Sequence, residues 1–124
     1  LFENANDVIY VHDLEGNYIS MNTAAERVFG YPREEALQLH MSEIVAPDQL
    51  ELAKTKLHEK LKGNASQTVY ELDCIRKDGS RITLEINSTV IYKDGQPVAV
   101  QGIARDITER RQSEEALRES EKRY

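Results

Sequence analysis

Residues 66–107 read SQTVYELDCIRKDGSRITLEINSTVIYKDGQPVAVQGIARDI. Three runs of alternating apolar and polar residues, rich in Val, Ile and Thr, are separated by Asp78-Gly79 and Asp94-Gly95. Successive side chains of a strand point to opposite faces, so this alternation marks half-buried strands. Asp-Gly supplies the positive backbone angles of a tight turn, which makes each break a hairpin. The stretch is therefore a three-stranded antiparallel meander, and its apolar face needs a cover.

Upstream, DVIYVHDLEGNYISMN (residues 7–22) holds two short β-branched and aromatic runs, 8–12 and 18–21. Gly16 and Asn17 lie between them, so they form a further hairpin that must join the sheet to bury its apolar side. Helical segments separate the two groups of strands. Thr23 with Glu26 has the spacing of a capping box, with Asn22 as the alternative cap; Gly30 and Pro32 then stop that helix. Pro32 and Pro47 stand at natural first-turn positions. Leu50, Ala53, Leu57 and Leu61 repeat at helical spacing along one long amphipathic helix, closed by Gly63-Asn64. The expected fold is α+β: a five-stranded antiparallel sheet with helices on one face and a further helix at the C-terminus.

The composition narrows the function. The 124 residues make one ordinary domain, 40% hydrophobic and 31% charged, which suits a globular chain. A net charge of −6 argues against nucleic acid or an anionic membrane as partner. No apolar run approaches the roughly 20 residues that span a bilayer. The single cysteine, Cys74, cannot form an internal disulfide, consistent with a reducing, cytoplasmic setting. The chain starts at Leu1 rather than Met and stops within a helical pattern, so a longer parent is expected.

Two longer stretches carry a resemblance. Residues 1–37 resemble the first half of a PAS domain, with Asn22 ending the second strand and Gly30-Tyr31 ending the next helix. Residues 70–111 resemble its second half, the PAC motif, with Arg76-Lys77-Asp78-Gly79 and Asp106-Ile107-Thr108 as signatures. The resemblance implies the strand order 2-1-5-4-3 and helices enclosing a central cavity. The chain departs from the family at Gln38, where Gly is usual, and at Ala46, where a polar residue often precedes Pro47-Asp48.

Candidate site residues follow from both readings. Ile9, Val11, Met21, Leu57, His58, Leu72, Leu84, Ile86, Val100 and Ile103 are the candidates for lining a cavity that would take a small apolar ligand. The competing reading is that such side chains simply fill a core. His58 stands out because some PAS domains hold haem through a histidine on the long helix. At roughly 100° per residue it lies about 80° from Leu50, on the border of the apolar face. Cys74 lies in a strand, outside any Asn-Cys-Arg-like flavin-attachment motif, so a buried or edge cysteine is expected. No cofactor is therefore assigned, and neither haem nor flavin is favoured. His12, His40 and His58 are too scattered for a zinc site, so no metal is expected. No phosphate loop, nucleophile turn or carboxylate dyad is present, and no enzyme activity is expected of the fragment.

The last stretch, GIARDITERRQSEEALRESEKRY (residues 102–124), turns from strand into dense charge after Thr108. Asp106 reads as an N-cap with Glu109 completing the box. Beyond it, Ile107, Arg110, Leu117 and Tyr124 fall on a poor heptad seam, suited to a weak parallel coiled coil between two chains. The expected division is a sensor domain over 1–107 and a signalling linker over 108–124.

The functional expectation is a non-catalytic sensor or relay in a multidomain signalling protein of the histidine kinase or diguanylate cyclase type. Ligand or partner binding would move strand 98–107, and Asp106-Ile107-Thr108 would pass this to the exit helix. Expected partners are a second copy, through the exit helix and the sheet, and neighbouring PAS or output domains. The alternatives are a ligand-free dimerisation spacer and a haem-based gas or redox sensor through His58.

Overall fold

The computed structural model describes residues 6–63 and 67–122. The chain runs β1 (Val8–Asp13), β2 (Tyr18–Met21), α1 (Thr23–Phe29), α2 (Arg33–Ala36), α3 (Met41–Ile44) and α4 (Leu50–Leu61). It continues through β3 (Gln67–Ile75), β4 (Arg81–Lys93), β5 (Gln96–Asp106) and α5 (Thr108–Lys122). The strands form one antiparallel sheet in the order β2-β1-β5-β4-β3, as the resemblance implied. At the Asp94-Gly95 turn both residues take positive φ, 52° and 79°, the conformation that matches the twist of a hairpin.

The strand β5 sits between β1 and β4, so it is the element that joins the first hairpin to the meander. Its pairing Tyr10↔Gly102 and Ile86↔Ala104 sets which side chains share a face. Tyr10, Leu72, Cys74, Leu84, Ile86 and Val100 face the helices, where Phe29, Met41 and Ile44 complete the core. The opposite parity carries Ile9, Val11 and Ile103 on the outer face.

Asn22, rather than Thr23, caps α1. Its side-chain Oδ1 accepts the N–H of Ala25 at 3.0 Å and that of Ile9 at 3.1 Å, while Nδ2 donates to the Asp7 carbonyl at 2.8 Å. Because Asn22 is fully buried, it also ties β1 to the helix, which Thr23 in its exposed position cannot do. At the far end Gly30 takes φ 82° and its N–H bonds the Glu26 carbonyl. Pro32 stands just before α2 and Pro47 opens a 3-10 turn, Pro47–Gln49, that leads into α4. Of the two closing residues expected for α4, Gly63 takes φ 81° and Asn64 lies outside the described residues.

The two family departures are accommodated without strain. Gln38 forms a turn with its N–H on the Glu35 carbonyl, and Asp94 is the positive-φ non-glycine among the described residues. Ala46 is fully buried, and its N–H bonds the Asp73 carbonyl at 3.0 Å, docking the loop before α4 onto β3.

Candidate functional site

The helix α4 crosses the inner face of the sheet with Ala53, Leu57 and Lys60 directed toward it. Between them and the strands lies a cavity of about 40 Å³. Its sheet wall is Tyr10 and His12 of β1, Tyr18 of β2, Tyr70, Leu72 and Cys74 of β3, Leu84, Ile86 and Ser88 of β4, and Val100 of β5. Phe29, Met41, Ile44 and Val45 close the far side, and Lys56 lies at the α4 margin.

Several candidates from the sequence meet there: Leu57, Leu72, Leu84, Ile86 and Val100 all line the cavity. The others do not. Ile9 and Ile103 face each other across the β1–β5 ladder on the outer side of the sheet, and Ile103 is 39% exposed. Val11 shares their parity. Met21 is buried in the core but stands off the cavity wall. His58 is exposed, about 100° around α4 from Leu57. A histidine directed to solvent cannot ligate a haem in the interior, so the residues present do not fit a group held through His58.

Phe29, Met41, Ile44, Val45 and Ala53 add apolar wall beyond the sequence candidates, but the additions that change the chemistry are the polar ones. Lys60 is 3% exposed, and its Nζ donates to the Ser88 carbonyl at 2.8 Å. Burial lowers its pKa from the ordinary lysine value. Position 60 is three residues beyond Leu57 and seven beyond Ala53, so the helical period already places it on the inner face. Charge alone suggested otherwise. His12 is also buried, with Nδ1 2.7 Å from the Asp13 carbonyl, so Nδ1 carries the proton and Nε2 keeps a lone pair. Burial lowers the His12 pKa, with the Asp13 carbonyl pulling the other way, and the ring is neutral at pH 7.

The phenols and the thiol are neutral too. Burial raises Tyr10 well above the usual phenol value, and it raises Tyr18 and Tyr70 in the same direction. It pushes the Cys74 thiol up to about 12, helped by the Asp73 charge. A thiol so protected is no nucleophile at neutral pH. The cavity therefore offers apolar surface, neutral donors and acceptors, and the ammonium group of Lys60, with Lys56 at the margin. That is binding chemistry rather than bond-breaking chemistry.

At the opposite end of β5 the strand passes into α5 through a compact knot of hydrogen bonds. The Ile107 N–H donates to the Thr83 carbonyl at 2.9 Å, and the Thr83 N–H donates to Thr108 Oγ1 at 2.9 Å. Asp106 Oδ1 accepts both the N–H and the hydroxyl of Thr108, at 2.9 and 2.5 Å. The helix begins at Thr108, so Asp106 lies one residue before the cap position instead of occupying it. Side-chain bonding to the residue two ahead takes the place of the expected box with Glu109. Ile107 is 4% exposed and belongs to the domain, which removes it from a heptad seam. Arg110 pairs with Glu71 at 3.6 Å and Glu85 at 3.7 Å, and Arg111 pairs with Glu71 as well. The first turn of α5 is thus held against its own sheet, whereas Leu117 is 62% exposed. Tyr124, the last seam residue expected, lies outside the described residues.

A family model described as a PAS domain matches residues 6–109. The chain belongs to the PAS family. Similar curated proteins include the methyl sulfide methyltransferase-associated sensor of Methanosarcina acetivorans, 30% identical over 95% of this chain. They also include the sensor histidine kinase TmoS of Ectopseudomonas mendocina, 26% identical over 94%. This PAS domain spans 12% of the length of each. Among solved structures, the PAS domain of a Colwellia psychrerythraea protein is 28% identical with a TM-score of 0.80, covering 87% of this chain and 92% of that one. A domain of a sensory box sensor histidine kinase/response regulator from Geobacter sulfurreducens is 29% identical with a TM-score of 0.71, covering 86% and 88%.

Proposed function

We propose that this PAS domain is a non-catalytic sensory relay in a multidomain signalling protein of the histidine kinase or diguanylate cyclase type. Residues 1–107 form the sensor and residues 108–124 the linker. A ligand or partner acting on the interior shifts β5, which carries Val100 on the cavity wall and Asp106 at its end. Asp106, Ile107 and Thr108 pass the shift to α5.

The observation that carries this reading is the bonding of both Ile107 and Thr108 to Thr83 of β4. A helix whose first residues are hydrogen-bonded into the sheet has to follow the sheet. The names of the similar curated proteins, two of them sensors, support the same reading. Beyond its first turn α5 has no buried residue among those described, as expected of a segment that completes its packing against a second copy in the parent. Leu117 is the seam residue available for that pairing, while Arg110 serves the sheet. In this reading the module is cytoplasmic and flanked by further PAS or output domains; among the described residues no helix is long and apolar enough to cross a membrane.

Replacing Asp106 with Ala tests the relay. The expected result is altered output from the full-length parent with the PAS fold intact by circular dichroism; unchanged output would overturn it. A second reading, a ligand-free dimerising spacer, is favoured by one observation, the small size of the cavity. Dimerisation that ignores every small molecule added would decide for the spacer.

A further inference from the structure

The cavity wall is charged in one direction. Among the described residues its lining contains Lys56 and Lys60 and no Asp or Glu. Lys60 is almost completely enclosed, and among the described residues its ammonium makes one hydrogen bond, to the Ser88 carbonyl. Lys56 lies 5.9 Å over the ring of Tyr70, a cation–π contact rather than an ion pair. A buried cation facing neutral groups is costly, and proteins normally supply it with a counter-ion.

We propose that the cavity is a receptor site for a short-chain carboxylate, whose anionic head is held by the Lys60 ammonium. The proposal rests on the sensor reading above and names its ligand class. A carboxylate brings the missing charge and acceptors for the N–H bonds that the Ser88 carbonyl leaves over. The apolar side chains of Leu57, Leu72 and Ile86 suit a methyl or ethyl tail. The volume sets the size. A water needs roughly 10–15 Å³ measured in this way, so 40 Å³ holds about three or four heavy atoms, the scale of acetate and, with slight expansion, propionate. The sequence suggested an apolar ligand because the aliphatic residues were legible and the buried charge was not.

The test uses the 124-residue chain with acetate and propionate as probes, acetamide and propionamide as neutral isosteres, and sodium chloride to hold ionic strength constant. Thermal midpoints and amide NMR spectra are followed during titration. Propionate is expected to raise the midpoint saturably and to shift the resonances of Tyr70 and Ser88, with propionamide about tenfold weaker or worse. Lys60→Met keeps the length of the stem, removes the charge and should abolish the response. Lys60→Arg, which keeps the charge, covers the case in which the methionine variant fails to fold and should retain a preference for the acid.

Equal responses to acid and amide, or a propionate response that survives in Lys60→Met, would overturn the assignment. So would no response up to about 50 mM, well above the millimolar range of weak ligands. A cavity that ignores carboxylates but takes a neutral apolar molecule overturns the ligand class and leaves the sensor reading standing. That reading has its own test in Asp106→Ala, which leaves the carboxylate titration unaffected.

Discussion

Tyr10 and Gly102 face each other across the β1–β5 ladder so closely that a Cβ at residue 102 would stand 2.2 Å from Tyr10 Cζ. The demand is steric, because Gly102 is not among the glycines with positive φ. The missing side chain lets the phenol ring occupy the middle of the inner sheet face. From there it reaches the cavity wall and stacks near His12, with ring centroids 6.0 Å apart. Gly102→Ala should therefore destabilise the domain by about 1–3 kcal/mol, as over-packing does. The urea midpoint measures this. In a double-mutant cycle with Tyr10→Ala, most of the alanine penalty at 102 should disappear; strictly additive effects would mean that the ring moves aside freely.

A pH dependence follows from His12. Burial holds its pKa below the ordinary 6.5, so between that value and the lower folded-state value the unfolded chain binds more protons than the folded one. Stability then rises with pH through this window and is lost as pH falls below about 6.5. Denaturation midpoints should be higher at pH 7.5 than at pH 5.5, and His12→Asn should flatten the difference. Asp13, whose carboxyl burial alone would raise but which hydrogen bonds from Asn17, Glu15 and Gly16 together hold below the usual 3.8, acts with the same sign but at lower pH. A slope unchanged by His12→Asn would assign the effect elsewhere.

The first turn of α5 is held to the sheet by charges that share Glu71. Each pair is roughly half exposed, so each contributes at most about 1 kcal/mol and is screened by salt. Glu71→Ala should leave global stability within about 1 kcal/mol of the parent. It should lower the backbone heteronuclear NOE along α5 by loosening the helix start. Raising the salt to about 0.5 M should do the same. If the NOE values stay put under both treatments, the hydrogen bonds of Thr83 with Ile107 and Thr108 alone fix the helix.

Local chemistry was enough to read the strands of the meander, both Asp-Gly turns and the existence of α4. Each depends on a period or a turn geometry contained within a few residues. Asn22 as a cap was legible for the same reason, although its burial settled the choice over Thr23. What alternation cannot say is which parity looks toward the helices. Ile9, Val11 and Ile103 satisfy the pattern as well as Tyr10 and Val100 do, and they ended on the outer face because the pairing with β5 and the placement of α4 oriented the whole sheet.

The same distinction separates the charged residues. The sequence by itself set the secondary structure, the hairpin connections and, through the period of α4, the azimuth of Lys60. Tertiary structure alone decided that Lys60 would be enclosed, since that required an acceptor on β4, the Ser88 carbonyl, brought 2.8 Å away from a residue 28 positions earlier. It likewise took Ile107 out of the exit helix's exposed surface and into the domain. Periodicity is a property of neighbours along the chain, whereas burial is a property of the elements that meet in space.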